Sequence, residues 1–304
     1  MIFSIVTPTY NRRDLLCRLF DSLVAQDYQG IEWIVVDDGG TDGTEDAVRG
    51  FQISASFTIR YLRKQNGGKI SACNAGLAVA SGDLVSVIDD DDYFLPKVFD
   101  QIAQDFIAIR DNDDIAGLSY ISVDPDGNVR GRRFPLDRKI SDHIECRFNQ
   151  GITGDKCEFT KPASLRAHNI SYSEDAGSVG GDTVFLVRVA EHYKTMYRNT
   201  PVLVKIFLPG GITMNRRARS LQCPIGIAEY YKAYLGRRVR VRIRLKYLVA
   251  YIAVLCLMRA RINDSIVRSP WNRLLSPLAY LPGMLVGIRW RILMNRSAAS
   301  AAGL

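Results

Sequence analysis

The sequence predicts an α/β fold: a mostly parallel sheet with helices on both faces, followed by a basic helical region. Three observations point there. Short apolar runs alternate with segments of helical periodicity through the first half of the chain, the arrangement that builds parallel sheets. Polar clusters close three of those runs, at Thr7–Arg12, Asp37–Thr44 and Asp89–Asp92. The charge is split: residues 1–214 carry 23 Lys/Arg against 30 Asp/Glu, and residues 215–304 carry 17 against only Glu229 and Asp264. We therefore expect two units, 1–214 and 215–304, facing different partners.

The elements follow in order. Ile2–Val6 reads as a buried strand that stops at Thr7-Pro8. Asn11 stands where a helix cap belongs, and Leu15, Leu16, Leu19, Phe20, Leu23 and Val24 follow at helical spacing. Ile31–Val36 is a second strand, closed by the turn cluster Asp37-Asp38-Gly39-Gly40. Phe57–Leu62 is a third strand, Lys69–Ala80 a helix and Leu84–Ile88 a fourth strand. Pro96 opens a helix towards Ile109, since proline suits a first helical turn. Ile115–Val123 is a strand ending at the turn Asp124-Pro125-Asp126-Gly127-Asn128.

Composition narrows the function classes. A 304-residue chain that is 47% hydrophobic and 24% charged can bury a large core, which excludes a disordered tail, a collagen and a disulfide-stapled scaffold. The six cysteines form no CxxC pair and no ligand cluster with His143, His168 or His192, so we expect reduced thiols in a cytosolic compartment. Ile2–Val6 is too short for a secretory apolar region and has no basic stretch before it.

Asp89-Asp90-Asp91-Asp92 carries the most chemistry. Adjacent carboxylates repel, and a hard divalent cation such as Mg²⁺ neutralises them while completing its shell with water and substrate phosphates. A solvated acidic loop is the alternative, disfavoured by the position at a strand's carboxyl end, where ligands of open α/β sheets bind. In Asp37–Thr44 the glycines allow a tight turn and the carboxylates suit a base or ribose better than bare phosphate; no GxxxxGK[ST] loop is present. Asn66-Gly67-Gly68-Lys69 places exposed backbone N–H groups and one ammonium at a helix start, an arrangement that attracts anions.

Taken in order, these segments resemble family 2 of the glycosyltransferases, inverting enzymes of the GT-A fold. The likeness runs through Val6–Arg12, Val36–Thr44, Asn66–Lys69, Asn74–Gly76, Ser81–Asp83 and Ile88–Pro96, with Gly40 where the family usually has Ser. It covers residues 2–130 well and Gly154–Thr213 loosely. The resemblance implies a nucleotide pocket lined by Thr7, Pro8 and Tyr10, with Asp37 or Asp38 on the base and ribose and Asn66 and Lys69 near the donor. It implies Asp89 and Asp91 as a DxD pair, extended by Asp92, holding Mg²⁺ or Mn²⁺ on the diphosphate of a UDP-sugar or similar donor. It implies Asp182 as the general base, with Gly181 where a first acidic residue is usual and Glu174 and Asp175 as rivals. A helix N-cap is the bland role for Asp182.

The last unit alternates Arg237, Arg238, Arg240, Arg242, Arg244 and Lys246 with apolar residues, after Arg216, Arg217 and Arg219. Tyr247–Met258 carries no charge and ends at Arg259 and Arg261; Leu274–Ile288 is interrupted by Pro277 and Pro282. Neither reaches the roughly 20 residues of a spanning helix, and both suit the headgroup region of an anionic bilayer. An oligomer contact or a helical cap on the first unit is the alternative. Nucleic acid is not expected, because the acidic first unit would repel it. The sum is a metal-assisted transferase, peripheral on the inner face of the cell membrane, acting on a lipid-linked or surface-polysaccharide hydroxyl. A polyprenyl-phosphate sugar synthase and a non-catalytic nucleotide- or sugar-binding scaffold are the alternatives.

Overall fold

The structure, a computed structural model, describes residues 1–206, 223–258 and 265–301. Arg216, Arg217, Arg219, Arg259, Arg261 and the expected boundary after residue 214 lie outside the described residues.

Strands β1 (Phe3–Thr9), β2 (Ile31–Asp37), β3 (Thr58–Arg63) and β4 (Leu84–Val87) are mutually parallel, in the order β3-β2-β1-β4. Helices α1 (Arg13–Val24), α2 (Thr44–Ser54) and α3 (Lys69–Val79) connect them. Strand β1 runs through Pro8 to Thr9 instead of stopping at Thr7. The register explains it: β4 ends opposite Val6, so the edge of Pro8 that lacks an N–H faces no neighbouring strand.

Beyond β4 the sheet is mixed. It continues β4-β8-β6-β9-β5, with β5 (Tyr93–Phe94), β6 (Ile115–Val123), β8 (Lys156–Thr160) and β9 (Lys194–Val204); β7 (Lys139–Ser141) pairs with β9. β8 is antiparallel to both neighbours, whereas β6 and β9 are parallel. α4 (Phe99–Ile107), a π-helical turn (Ile144–Asn149), α5 (Pro162–Ala167) and α6 (Gly177–His192) complete the α/β unit.

One face of the sheet buries Phe3, Ile5, Trp33 and Phe159 against α1, α2 and α4, which contributes Phe99, and the other buries Val6, Ile34 and Val36 against α3 and α6, which contributes Phe185. Gly76 lets α3 approach β1, since a Cβ there would stand 2.2 Å from Val6 Cγ1. Asn74 ties α3 to the segment before α6: its Nδ2 donates to Tyr172 O (3.0 Å) and its Oδ1 accepts from Tyr172 N (2.9 Å).

The basic region is helical: α7 (Pro224–Ala233), α8 (Val241–Leu257) and α9 (Ser276–Ala301). Much of Tyr247–Met258 faces inward: Leu248, Tyr251, Ile252 and Val254 are buried in a helical core with Leu235 and Ala279. Pro282 does not interrupt the second apolar stretch, because α9 runs through it. Gly283 and Gly287, one turn apart, seat α9 on α8; a Cβ at either would stand 2.7 Å from Ile252 or Ala253. This unit packs on the first. Val239 joins Ile144, Phe148 and Val187, and Tyr234 stacks on Phe148 at 3.7 Å between ring centres. Arg238 pairs with Asp142 and donates to Ala190 O at 2.7 Å, so that arginine is spent inside the protein.

Candidate functional site

The carboxyl ends of β1, β2 and β4 bring the three polar clusters together. Asn11 does not cap α1. It adopts a left-handed φ of 51°, and its Oδ1 accepts from Thr41 N (2.7 Å), tying the β1 loop to the β2 loop. Asp42 returns the tie by accepting from Arg13 N (2.8 Å), in the first turn of α1.

In the β2 loop both leading carboxylates are buried and hold backbone. Asp37 accepts from Gly40 N (2.7 Å) and Tyr61 Oη (2.6 Å). Asp38 accepts from Lys64 Nζ (2.7 Å), Gly67 N (3.0 Å) and Gly68 N (2.7 Å), and thereby fixes the Asn66–Lys69 loop, on which Asn66 is exposed. Thr7 is fully buried mid-strand and accepts from Trp33 Nε1 (3.0 Å), so it supports the site from within the core. Pro8 is also buried, and Tyr10 is exposed at the strand's end.

The aspartate run divides. Asp89, Asp91 and Asp92 each offer an oxygen within 4.8 Å of the others. Asp90 turns inward, accepting from Thr9 Oγ1 (2.9 Å) and Arg12 Nη1 (2.7 Å). Burial raises the Asp90 carboxyl to about 7 against the opposing pull of Arg12. Cations from three other segments surround the trio: Arg12 Nη2 is 2.8 Å from Asp91, Lys69 Nζ 2.5 Å from Asp89, and Lys205 Nζ 2.6 Å from Asp92 and 3.8 Å from Asp89. Burial alone would raise Asp89, but Lys69, Lys205 and Arg12 outweigh it and hold that carboxyl well below the usual range. Burial pushes Asp92 up to about 6, with Lys205 opposing.

Three oxygen donors on one short turn fit a hard cation such as Mg²⁺ or Mn²⁺. Lys69, expected as an anion-attracting charge at the start of α3, is instead committed to Asp89. Its ammonium is driven above the ordinary lysine range: burial lowers it, and Asp89 and Asp182 more than reverse that.

A cavity of ≈ 220 Å³ opens beside this turn and is lined by Asp89, Lys69, Lys205 and Asp182 together with residues of β4, β8 and α6. Asp182 is in the second turn of α6, since the helix begins at Gly177, so it is not the N-cap. Glu174 and Asp175 are exposed before the helix and do not line the cavity.

Sequence reading missed Arg12 as a partner of the acids, and Lys205, Arg147 and Glu158 as cavity residues. For the β8 residues a signal exists: Lys156-Cys157-Glu158-Phe159-Thr160 alternates polar and apolar, which places one face of a strand on a polar space.

Comparison with known proteins agrees with this arrangement. Residues 4–169 match the family model for glycosyl transferase family 2. The chain is 32% identical over 141 residues to the glycosyltransferase GlyG of Streptococcus pneumoniae, covering 45% of this chain and 46% of that one. It is 33% identical over 128 residues to the uncharacterized glycosyltransferase alr2836 of Nostoc, covering 42% and 38%. The match thus spans less than half the length of these relatives. In fold it resembles S. aureus TarS 1–349 in complex with UDP-GlcNAc, with TM-score 0.60, 17% identity and coverage of 98% and 92%. It also resembles the mannosyltransferase PcManGT of Pyrobaculum calidifontis in complex with GDP-Man and Mn²⁺, with TM-score 0.58, 17% identity and coverage of 94% and 86%. The architecture is therefore GT-A, and the chain belongs to glycosyl transferase family 2.

Proposed function

We propose that the protein transfers a sugar, with inversion, from a nucleotide-sugar to an acceptor hydroxyl, assisted by a divalent cation. The observation that carries this reading is the convergence of Asp89, Asp91 and Asp92 on one turn, with Asp89 lining a cavity that Asp182 also lines. Mg²⁺ or Mn²⁺ on the three aspartates would supply Lewis-acid stabilisation of the departing diphosphate. Solved fold neighbours with UDP-GlcNAc and with GDP-Man and Mn²⁺ support a diphosphate donor, UDP-sugars being the first class to try.

The chain's own residues divide the remaining tasks. Pro8, Tyr10 and Asn66 border the nucleotide, with Asp37 and Asp38 shaping its base and ribose pocket through the loops they hold; Thr7 backs that wall. Lys69 and Lys205 balance the carboxylates and lie near the donor's charge. Asp182 accepts the proton of the acceptor hydroxyl as its oxygen attacks the anomeric carbon. An acid in that place favours a hydroxyl acceptor over a polyprenyl phosphate, which needs no base.

Residues 1–214 form the catalytic unit in this reading, and 215–304 a membrane-facing cap. Among the described residues no helix is long and apolar enough to cross a membrane. What supports peripheral attachment is the outer face of α9. Leu278, Leu281 and Leu285 are 65%, 65% and 59% exposed, and Leu274, just before the helix, is 84% exposed. Arg268, Arg273 and Arg289 lie in the same segment, and residues 265–304 contain no acid. An uncovered apolar stripe rimmed by arginine suits an anionic bilayer and, with it, a lipid-linked or surface-polysaccharide acceptor.

The test is nucleoside diphosphate release from a panel of UDP-, GDP- and dTDP-sugars, with Mn²⁺, Mg²⁺ or EDTA. Metal-dependent release from one donor is expected. Nucleotide binding with no release under any metal would point to the non-catalytic scaffold instead.

A further inference from the structure

Strand β8 presents Lys156, Glu158 and Thr160 to the cavity, while Cys157 and Phe159 enter the core on the other side. Arg147, from the π-helical turn, lines the same cavity. Two features there are incompletely paired, although Ser119 hydrogen-bonds Glu158. Among the described residues, neither Arg147 nor Glu158 has an ion-pair partner within 4.0 Å, although both border one cavity. Arg147 Nη1 is buried and has no hydrogen-bond partner. A buried guanidinium nitrogen left unpaired is costly, and such groups are normally satisfied.

The surrounding charge limits what can satisfy them. Asp89, Asp155, Glu158 and Asp182 face Lys69, Arg147, Lys156 and Lys205 across the cavity, four acids against four bases. A second phosphate or a carboxylate would meet the acids. A neutral ring bearing hydroxyls meets neither penalty, because each hydroxyl both donates and accepts. The wall formed by Leu77, Val85, Val87 and Phe185 matches the C–H face of such a ring.

We propose that Arg147 and Glu158 form a specificity subsite that reads hydroxyls of the transferred sugar, Glu158 accepting and Arg147 donating. The assignment rests on the glycosyl-transfer reading. Asp89 and Asp182 border the same cavity, which places the ring of the donor there in preference to a remote part of the acceptor.

The test is calorimetry on the full chain in Mn²⁺, without acceptor. UDP is compared with UDP-glucose, UDP-galactose, UDP-GlcNAc and UDP-GalNAc, for wild type, Glu158→Gln and Arg147→Lys. The expected result is UDP affinity within about twofold in both variants, with the best UDP-sugar weakened by about tenfold or more, or its rank among the four changed. Circular dichroism confirms folding, and the near-isosteric Glu158→Gln stands as the second probe if Arg147→Lys fails to fold. UDP-sugar affinities unchanged within twofold in the folded variants would overturn the subsite. Absence of binding of UDP, GDP and dTDP alike by wild type would overturn the glycosyl-transfer reading, and the subsite with it.

Discussion

A side chain at Gly181 would bring its Cβ within 2.5 Å of Ile70 Cδ1, where α6 crosses α3. At the preceding position, a Cβ on Gly180 would stand 2.7 Å from Tyr230 Cβ on α7. The glycine pair therefore lets α6 pack tightly on two helices at once. It gives a physical reason for the missing first acid of the expected pair: a side chain there would have to displace the end of Ile70. Gly181→Glu should destabilise the fold by about 1–3 kcal/mol, the usual cost of overpacking. It should also lower turnover on the order of 10²-fold by displacing Asp182. Urea midpoints and donor turnover measure both; a neutral or more active variant would show that α6 tolerates the acid.

Asp182→Asn separates the two acceptor classes. General-base catalysis contributes typically about 10²–10⁴-fold. Turnover to a hydroxyl acceptor should fall by that amount, while binding of the donor stays near wild type. A loss of only a few-fold would remove the base role and favour a phosphate acceptor.

Glu158 gives a pH signature in stability. Burial raises its carboxyl to about 7, with Arg147, a hydrogen bond with Ser119 and Lys156 opposing. Between the ordinary glutamate range and pH 7 the folded protein holds this proton and the unfolded chain has released it. This group's contribution to stability therefore falls as pH rises through that window. Glu158→Gln carries no such charge, so its melting temperature should gain on wild type as pH goes from about 4.5 to about 8. Melting curves of both proteins across that range decide it; a gap that stays flat or shrinks would contradict the direction.

The outer face of α9 should be separable from catalysis. Changing Leu278, Leu281 and Leu285 to Gln should release the protein from liposomes containing phosphatidylglycerol while leaving turnover of a soluble donor within about twofold. Deleting residues 215–304 is the poorer test, because Arg238 and Tyr234 brace the helix and turn that border the cavity. Continued sedimentation of the triple variant with liposomes would place the attachment elsewhere.

How much could be read beforehand follows from the kind of signal each part leaves. The parallel half was legible because β1, β2 and β4 are short apolar runs closed by polar clusters. The strands β5, β7 and β8 were not, because they span only two to five residues and are stabilised by pairing with distant β6 and β9. The aspartate run was legible as a candidate cation site, since like charges side by side need neutralising. Its protein partners were not, because Arg12, Lys69 and Lys205 come from three separate segments and meet only in the fold. In the basic region the sequence shows apolar stretches and arginines but not which are buried. Tyr251 and Leu248 are core, whereas Leu278 and Leu281 are uncovered, and that difference is set by packing alone.

The most direct measurement is a Mn²⁺ titration followed by electron paramagnetic resonance, with and without UDP, on wild type and Asp91→Asn. Wild type should bind one Mn²⁺, more tightly when UDP is present, and Asp91→Asn should lose that site with its circular dichroism unchanged. Equal Mn²⁺ and UDP binding by the two proteins would show that these aspartates do not hold the cation that grips the donor.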